Sequence, residues 1–404
     1  MRFKVRPGDF LVEERIRLPR SAEGRYTLYR VRKWGRTTLQ VRAAMAAALA
    51  VPPSALTFPA LKDRNAIAIQ FASLRGEGPP ELRGEGFVAR RVGWARRPLR
   101  PTDLEGNRFT LVLRDLTSDE VVRLPRALRR RSRIGLPNYF DEQRFGSLAP
   151  TAPAQGLPPF IGKAILQRDA QAALRLYLTV PFVGDPPAVR AFKAQAAAHW
   201  PDWATLFALA PRPSNFRSLL TFLQDHPTDF RRALNLIPDR LLTLYLTAYQ
   251  SALWNRLVGR YLEGQGKPEE GWWRLSIAGE SLPLYEALAE ERVRAWADLR
   301  VPLPHRRAVY DDPALEAAFR AVLETEGLDR EDLKARLLRR AYLPRGRRTL
   351  LLFPQGLRVE RAEEDERFPG RQKLTVRFTL PPGGYATLVL KAVGGQGGAR
   401  AGAG

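Results

Sequence analysis

Leu374-Thr375-Val376-Arg377-Phe378 alternates apolar and polar residues with a period of two, the pattern of a strand with one face buried. Its position decides the fold. It lies near the C-terminus, and Thr349-Leu350-Leu351-Leu352-Phe353 is a second β-like run just before it. The other strand signals sit at the opposite end of the chain, in Phe10 to Ile16, Tyr26 to Arg32 and Phe109 to Leu113. Between them the character is helical. Leu242, Leu246, Tyr249, Leu253 and Leu257 fall at spacings of four and three, one stripe of a long helix. Ala314 to Arg340 continues the helical signal with a break near Gly327, and Pro150 to Pro159 and Pro211-Arg212-Pro213 act as joints. The pattern therefore predicts an α/β (α+β) chain whose mixed-sheet domain is built from both ends, 1–154 and 343–404, around a mainly helical inserted domain, 155–342. The Gly/Ala-rich tail 394–404 is expected to be disordered.

Within the first part, Thr37 or Thr38 is a predicted N-cap for an Ala-rich helix ending near Leu49. Ala55 to Ala60 and Ala66 to Leu74 read as short strands joined by the turn Lys62-Asp63-Arg64-Asn65. Val121 to Arg133 reads as a helix stopped by Gly135 and Pro137.

Composition narrows the chemistry. The 404 residues contain no Cys and only three His, so disulfides, thiolate nucleophiles and Cys-containing zinc sites are excluded. His199, His226 and His305 have no ligand spacing. A catalytic site must then run on carboxylates, lysines, hydroxyls or the substrate's own chemistry. The net charge of +24 points to a polyanionic partner, and only nine of the 66 Lys+Arg residues are lysine. Arginine forks pair with phosphate and stack on bases, although a G+C-rich genome or a hot habitat also enriches them. The charge is uneven: residues 1–150 carry a net +15, 151–345 a net +4 and 346–404 a net +5. A uniform bias does not load one end in this way, whereas a phosphate-facing surface does. No apolar run approaches a membrane span or a signal peptide, so a cytoplasmic protein is expected.

Two stretches are candidates for chemistry. Asp63 lies in a turn between Lys62 and Arg64, and neighbouring cations favour the carboxylate a base or nucleophile needs; the same turn is also a common structural habit of Asp. Asn138-Tyr139-Phe140-Asp141-Glu142-Gln143-Arg144-Phe145-Gly146 follows a run of five arginines within 126–133. Its aromatics can stack bases, its amides can read base edges and its arginine can hold phosphate, or the aromatics can simply fill a core. Glu363-Glu364-Asp365-Glu366 reads as a solvated hairpin tip, and Trp272-Trp273 as core.

Lys62-Asp63-Arg64-Asn65-Ala66-Ile67 with Gln70, and the Asn138–Gly146 stretch, resemble the signatures of the TruD family of tRNA pseudouridine synthases. Pro7 to Glu13, Gly106-Asn107-Arg108-Phe109, Ala248 to Asn255 and Leu380 to Thr387 resemble further family segments, in the family's order. The resemblance implies a mixed-sheet pseudouridine-synthase catalytic domain with a family-specific insert. It implies isomerisation of uridine at position 13 of tRNA, without cofactor or metal. Asp63 matches the family's essential aspartate, and Lys4 a basic residue that pairs with it. Phe10, Asn138 and Tyr385 match positions that hold the target nucleotide, with Phe140 beside them; Lys62 and Arg144 belong to the matching motifs as supporting residues. Ala60, Ala68 and Asp141 depart from residues common in the family, and a requirement for positive φ at Ala60 would cost about 1 kcal/mol.

The expected partner is tRNA, with no membrane, bound by a monomer. The alternative is a non-catalytic basic RNA-binding or ribosome-associated protein, in which no single carboxylate matters. A metal-dependent nuclease needs converging carboxylates, and the sequence offers no spacing for them.

Overall fold

The computed structural model of the chain describes residues 1–145, 160–182, 184–266, 272–394 and 400–401. The chain divides into two compact units, one from Met1–Leu136 with Leu352–Gly404 and the other from Pro137–Leu351. Gly146, the 150–159 joint and most of the tail 394–404 lie outside the described residues.

In the first unit the main sheet runs Gln355–Val359, Gln372–Leu380, Leu104–Leu116, Phe10–Ile16, Ile67–Arg75, Tyr26–Lys33, Phe87–Ala95, Arg20–Ser21. Strands from the two chain ends thus join in one mixed sheet, the two C-terminal strands forming one edge beside Leu104–Leu116. The alternation at 374–378 is what the structure buries: Leu374, Val376 and Phe378 face the core, while Arg377 is exposed. Gly106 is fixed by this arrangement, because a Cβ there would lie 2.5 Å from the carbonyl oxygen of Leu380 on the neighbouring strand.

Along that path every pairing is antiparallel except one. Phe10–Ile16 and Ile67–Arg75 run parallel, with Leu11 opposite Ile67. Parallel neighbours begin at the same edge of a sheet. The turn before Phe10 and the turn containing Asp63 are therefore brought side by side by topology alone.

The helix Thr38–Ala48 covers one face, packing Val41, Met45 and Ala46 onto Tyr29, Val31, Ala72 and Leu74. Thr37 is its N-cap, in a reciprocal capping box with Gln40. The helix expected from Val121 runs Ser118–Ile134, because Thr117 and Glu120 form another capping box that adds a first turn. Gly135 ends it at φ 70°, the left-handed region that favours glycine. The strand read at Ala55 to Ala60 shrinks to Leu56–Thr57 behind a 3-10 turn, Pro53–Ala55. Pro53 and Pro59 flank that pair and can donate no ladder bond.

Three of the four residues in the acidic run 363–366 are exposed, as a solvated tip requires, and the exception is Asp365. Glu363 and Glu364 are exposed, but Asp365 is buried and accepts from Arg114 Nη1 at 2.8 Å. Arg114 also donates to both oxygens of buried Asp9 at 2.9 Å and lies 3.0 Å from Glu366. One buried guanidinium thus satisfies carboxylates from both chain ends.

The second unit is mainly helical. Its longest helix, Asp239–Gly264, packs against Ile161–Leu166 and Pro313–Glu326. The expected stripe at Leu242, Leu246, Tyr249, Leu253 and Leu257 is buried, and so are residues on the other faces, since neighbours surround the helix. Gly327, at φ 64°, ends Pro313–Glu326 where the break was expected, but the α-helix does not resume as far as Arg340: only a 3-10 turn, Asp332–Lys334, follows. The unit also holds a hairpin, Trp272–Ile277 with Glu280–Tyr285, and a short pair, Arg300–Pro302 with Arg347–Thr349. Trp272 is half-buried against Tyr285, with ring centres 6.4 Å apart. Among the described residues no helix is long and apolar enough to cross a membrane.

Candidate functional site

The Asp63 turn is held by its backbone. Lys33 ends the strand Tyr26–Lys33, and its Nζ donates to the carbonyl of Asp63 and, at 3.4 Å, to that of Ala66. The Lys62 N–H donates to Thr38 Oγ1 at 2.8 Å, and that hydroxyl donates to Gln70 Oε1 at 3.1 Å. Arg64 Nε donates to the Gly35 carbonyl at 3.1 Å. The main chain is fixed on three sides while the Asp63 side chain stays 47% exposed, open to a ligand.

The cation facing that carboxylate is Lys4. Its Nζ lies 3.4 Å from Asp63 Oδ2 and 4.5 Å from the centre of the Phe10 ring, so one ammonium joins three candidate residues. Lys4 reaches this position with φ 58°, unusual for a residue with a long side chain. Phe10 is mostly buried, edge-on to Phe109 at 6.0 Å, and Lys4 caps its ring face.

The sequence neighbours of Asp63 turn elsewhere. Lys62 Nζ donates to Asn107 Oδ1 at 2.8 Å and lies 3.0 Å from Glu14 Oε1. Burial pushes the Glu14 carboxyl pKa up, and Lys62 opposes that shift. Burial pushes Lys33 down to about 8; the nearby Asp63 opposes the shift and Lys62 adds to it. Lys33 is fully buried and went unmarked in the sequence, where a lysine ending a strand carries no special signal.

Tyr385 is half-buried and immediately precedes the helix Ala386–Gly394. It follows a turn closed by a bond from the Gly384 N–H to the Pro381 carbonyl at 3.1 Å. Leu380, before that turn, pairs with Asn107, the residue that holds Lys62. Tyr385 therefore issues from the strand next to the Asp63 anchor. Ala60 does not have positive φ, so the strain considered for alanine there does not arise. Ala68 is buried in its strand opposite Val12 and Lys33.

The remaining candidates belong to the second unit, which builds its own cluster. The Phe140 N–H donates to Asn255 Oδ1 at 2.8 Å, and Asn255 Nδ2 returns a bond to the Phe140 carbonyl at 2.9 Å. The Phe140 ring meets Trp254 edge-on at 5.6 Å, with the guanidinium of Arg348 4.3 Å and that of Arg144 5.7 Å from its centre. Arg144 donates to Ser251 Oγ at 3.0 Å and to the Thr247 carbonyl at 3.2 Å. Thus Ser251, Trp254 and Asn255, from one sequence motif, bracket Phe140 and Arg144 from another.

Asn138 is buried, and its amide is engaged within the protein. Nδ2 donates to Thr349 Oγ1 at 2.9 Å, while Oδ1 and the main-chain carbonyl accept from Arg348 at 2.6 Å each. Arg348 was not singled out in the sequence. Among the described residues no group of three or more His, Asp or Glu could hold a metal ion.

Comparison with known proteins matches this arrangement to one family. The family model described as tRNA pseudouridine synthase D (TruD) matches residues 1–393. The tRNA pseudouridine synthase D of Geobacter sulfurreducens is 32% identical over 403 residues, covering 97% of this chain and 93% of the relative. That of Syntrophotalea carbinolica is 31% identical over 411 residues, covering 96% and 95%. The crystal structure of a candidate tRNA pseudouridine synthase D from Methanosarcina mazei superposes with a TM-score of 0.73 at 23% identity, covering 97% and 93%, and so shares the fold.

Proposed function

The chain belongs to the TruD family of tRNA pseudouridine synthases, and from that premise we propose that it isomerises uridine 13 of tRNA with Asp63 as its catalytic carboxylate. The reaction breaks the bond from C1′ to N1 and forms one from C1′ to C5; the C5 proton leaves and N1 gains one. No electrons are exchanged. A single carboxylate held against the ribose suffices, which suits a chain without cysteine and almost without histidine.

The observation that carries the reading is the Asp63 turn itself: a half-exposed carboxylate on a backbone pinned by a buried lysine, with Lys4 at 3.4 Å. Lys4 pairs with the carboxylate and Phe10 supports Lys4. Lys62 steadies the turn through Asn107, and Tyr385 is assigned to the target nucleotide. In the second unit Phe140 and Arg144 offer an aromatic face and a cation to the RNA, and Asn138 orders Arg348 beside them. Flipping the uridine out of its stack costs a few kcal/mol, which phosphate contacts from the basic surface offset.

The test is Asp63→Ala and Asp63→Asn, assayed by carbodiimide adduct mapping because pseudouridine and uridine have equal mass. Both variants should bind tRNA as the wild type does and leave no adduct at position 13, a loss of at least about a thousandfold in rate. Turnover by the alanine variant would reject the assignment. Wild-type protein that binds tRNA and never produces an adduct would favour the non-catalytic alternative.

A further inference from the structure

Residues 333–350 hold seven Lys and Arg and not one Asp or Glu. The structure lays the middle of this segment over the second unit as an extended strap. Asn235 grips its start, donating to the Leu337 carbonyl at 2.9 Å and accepting from the Arg339 N–H at 2.9 Å. Gln250 Nε2 holds the Pro344 carbonyl at 2.9 Å, and the Leu303 N–H donates to the Gly346 carbonyl at 2.9 Å. Ala341 and Leu343 point inward and are buried, whereas Arg340, Tyr342 and Arg345 are exposed. Tyr342 is 67% exposed, more than any other large apolar or aromatic side chain described.

Next to the strap's end is a cavity of about 270 Å³ lined by His305, Arg307, Val309, Arg345 and Arg347, among others. Arg307, Arg340 and Arg345 form no ion pair among the described residues, and Arg347 reaches Asp311 only at 3.7 Å. Elsewhere in this unit exposed arginines are commonly neutralised, as Arg294 is by Glu290 and Arg320 by Glu316. Burial, then the charges of Arg345, Arg306 and Arg307, push the His305 pKa down. Unpaired arginines beside a bare aromatic on a pre-ordered backbone match what a nucleic-acid strand requires: phosphate partners, a stacking face and little ordering entropy.

We propose that this strap is a second RNA-binding element, in which Arg340, Arg345 and Arg307 take successive backbone phosphates while Tyr342 stacks on an unpaired base. The proposal rests on RNA being the substrate, and it needs no turnover to be tested. An acidic polypeptide could use the arginines but would gain little from the tyrosine.

The experiment measures equilibrium binding of an unmodified tRNA transcript, and of poly-L-glutamate, to the full chain across a salt series. Arg340→Gln and Arg345→Gln should each weaken RNA binding and lower the slope of log K against log salt by about 0.7–0.9. Tyr342→Ala should weaken RNA binding about tenfold with the slope unchanged and leave poly-L-glutamate binding unaltered. Arg340→Lys should restore the slope, and Arg294→Gln should change nothing. Unchanged RNA affinity in Arg340→Gln and Tyr342→Ala would overturn the proposal, as would equal losses for poly-L-glutamate in both. Wild-type protein that binds tRNA through the strap but forms no pseudouridine would instead reject the isomerase reading alone.

Discussion

The Asp63 turn in the first unit and the Phe140 turn in the second are ordered by different chemistry. Around Asp63 the scaffold is buried charge: Lys33 on the turn's carbonyls, Lys62 between Glu14 and Asn107, Arg114 among Asp9, Asp365 and Glu366. Around Phe140 it is amides and one arginine: Asn255 clasps the backbone from both sides, and Asn138 and Arg348 lock each other. The functional side chain is left open in the first case and half-buried among its partners in the second. Buried charges make stability depend on pH wherever folding changes their affinity for a proton, whereas amides act without regard to pH. The first unit should therefore be costly to disrupt and pH-sensitive, and the second less costly and indifferent to pH.

The largest effect should come from Arg114→Ala. It leaves two buried carboxylates, Asp9 and Asp365, without their cation, and breaking such a network costs about 3–5 kcal/mol. Asp9 closes the turn before Phe10, so the loss should also loosen Lys4 and lower turnover. Urea denaturation at neutral pH gives the first quantity and adduct formation the second. A cost below 1 kcal/mol would remove the distinction between the two scaffolds.

Arg348→Ala tests the other side. It strips donors from the main-chain and side-chain oxygens of buried Asn138 and removes the cation nearest the Phe140 ring. These are neutral acceptors, so about 2–4 kcal/mol is expected, and the loss should be constant from pH 7 to pH 10. A cost exceeding that of Arg114→Ala would invert the comparison.

The same contrast separates what could be read in the sequence from what could not. The strand at 374–378, the Thr37 cap and the stop at Gly135 are local patterns, fixed by residues within a few positions of one another. The turn containing Asp63 was legible too, but its meaning came from resemblance, because an aspartate turn has many uses. Lys33 and Arg348 were illegible for a physical reason. Each acts on a residue distant in sequence, 30 and 210 positions away, and only the antiparallel pairing of Tyr26–Lys33 with Ile67–Arg75 in one unit and the bond from the Asn138 N–H to the Leu350 carbonyl in the other bring the partners together. Likewise Lys62 and Arg64 flank Asp63 in sequence yet point away from its carboxylate. The basic strap was hidden by averaging: counted over 151–345, its charge is cancelled by acids elsewhere in the unit.

Lys33→Met sharpens the difference in pH response. In the folded chain the Lys33 pKa is lowered to about 8, below the value of about 10.4 for an unperturbed lysine. The folded state therefore gives up this proton first, and wild-type stability gains from this group as pH rises from about 8 to about 10.5. Relative to Lys33→Met, the wild type should gain about 3 kcal/mol over that window, measured by urea titrations at several pH values. The Arg348→Ala difference should stay flat over the same range, since a guanidinium does not titrate there. A flat Lys33→Met difference would show that the buried ammonium is not what makes the first scaffold pH-sensitive.

The smallest effect distinguishes cost from use at a single residue. Lys4 holds φ 58°, which costs a residue with a Cβ about 1 kcal/mol relative to glycine, and its exposed pair with Asp63 returns at most about as much. Stability alone gives no reason for lysine at this position. Lys4→Gln removes the cation and keeps the strain; Lys4→Gly removes both. The two variants should therefore lose turnover alike, while the glycine variant is more stable than the glutamine variant by about 1 kcal/mol in thermal unfolding. If glycine instead kept full activity, the ammonium would have no part beside Asp63, and the exposed carboxylate of the first unit would act without a neighbouring charge.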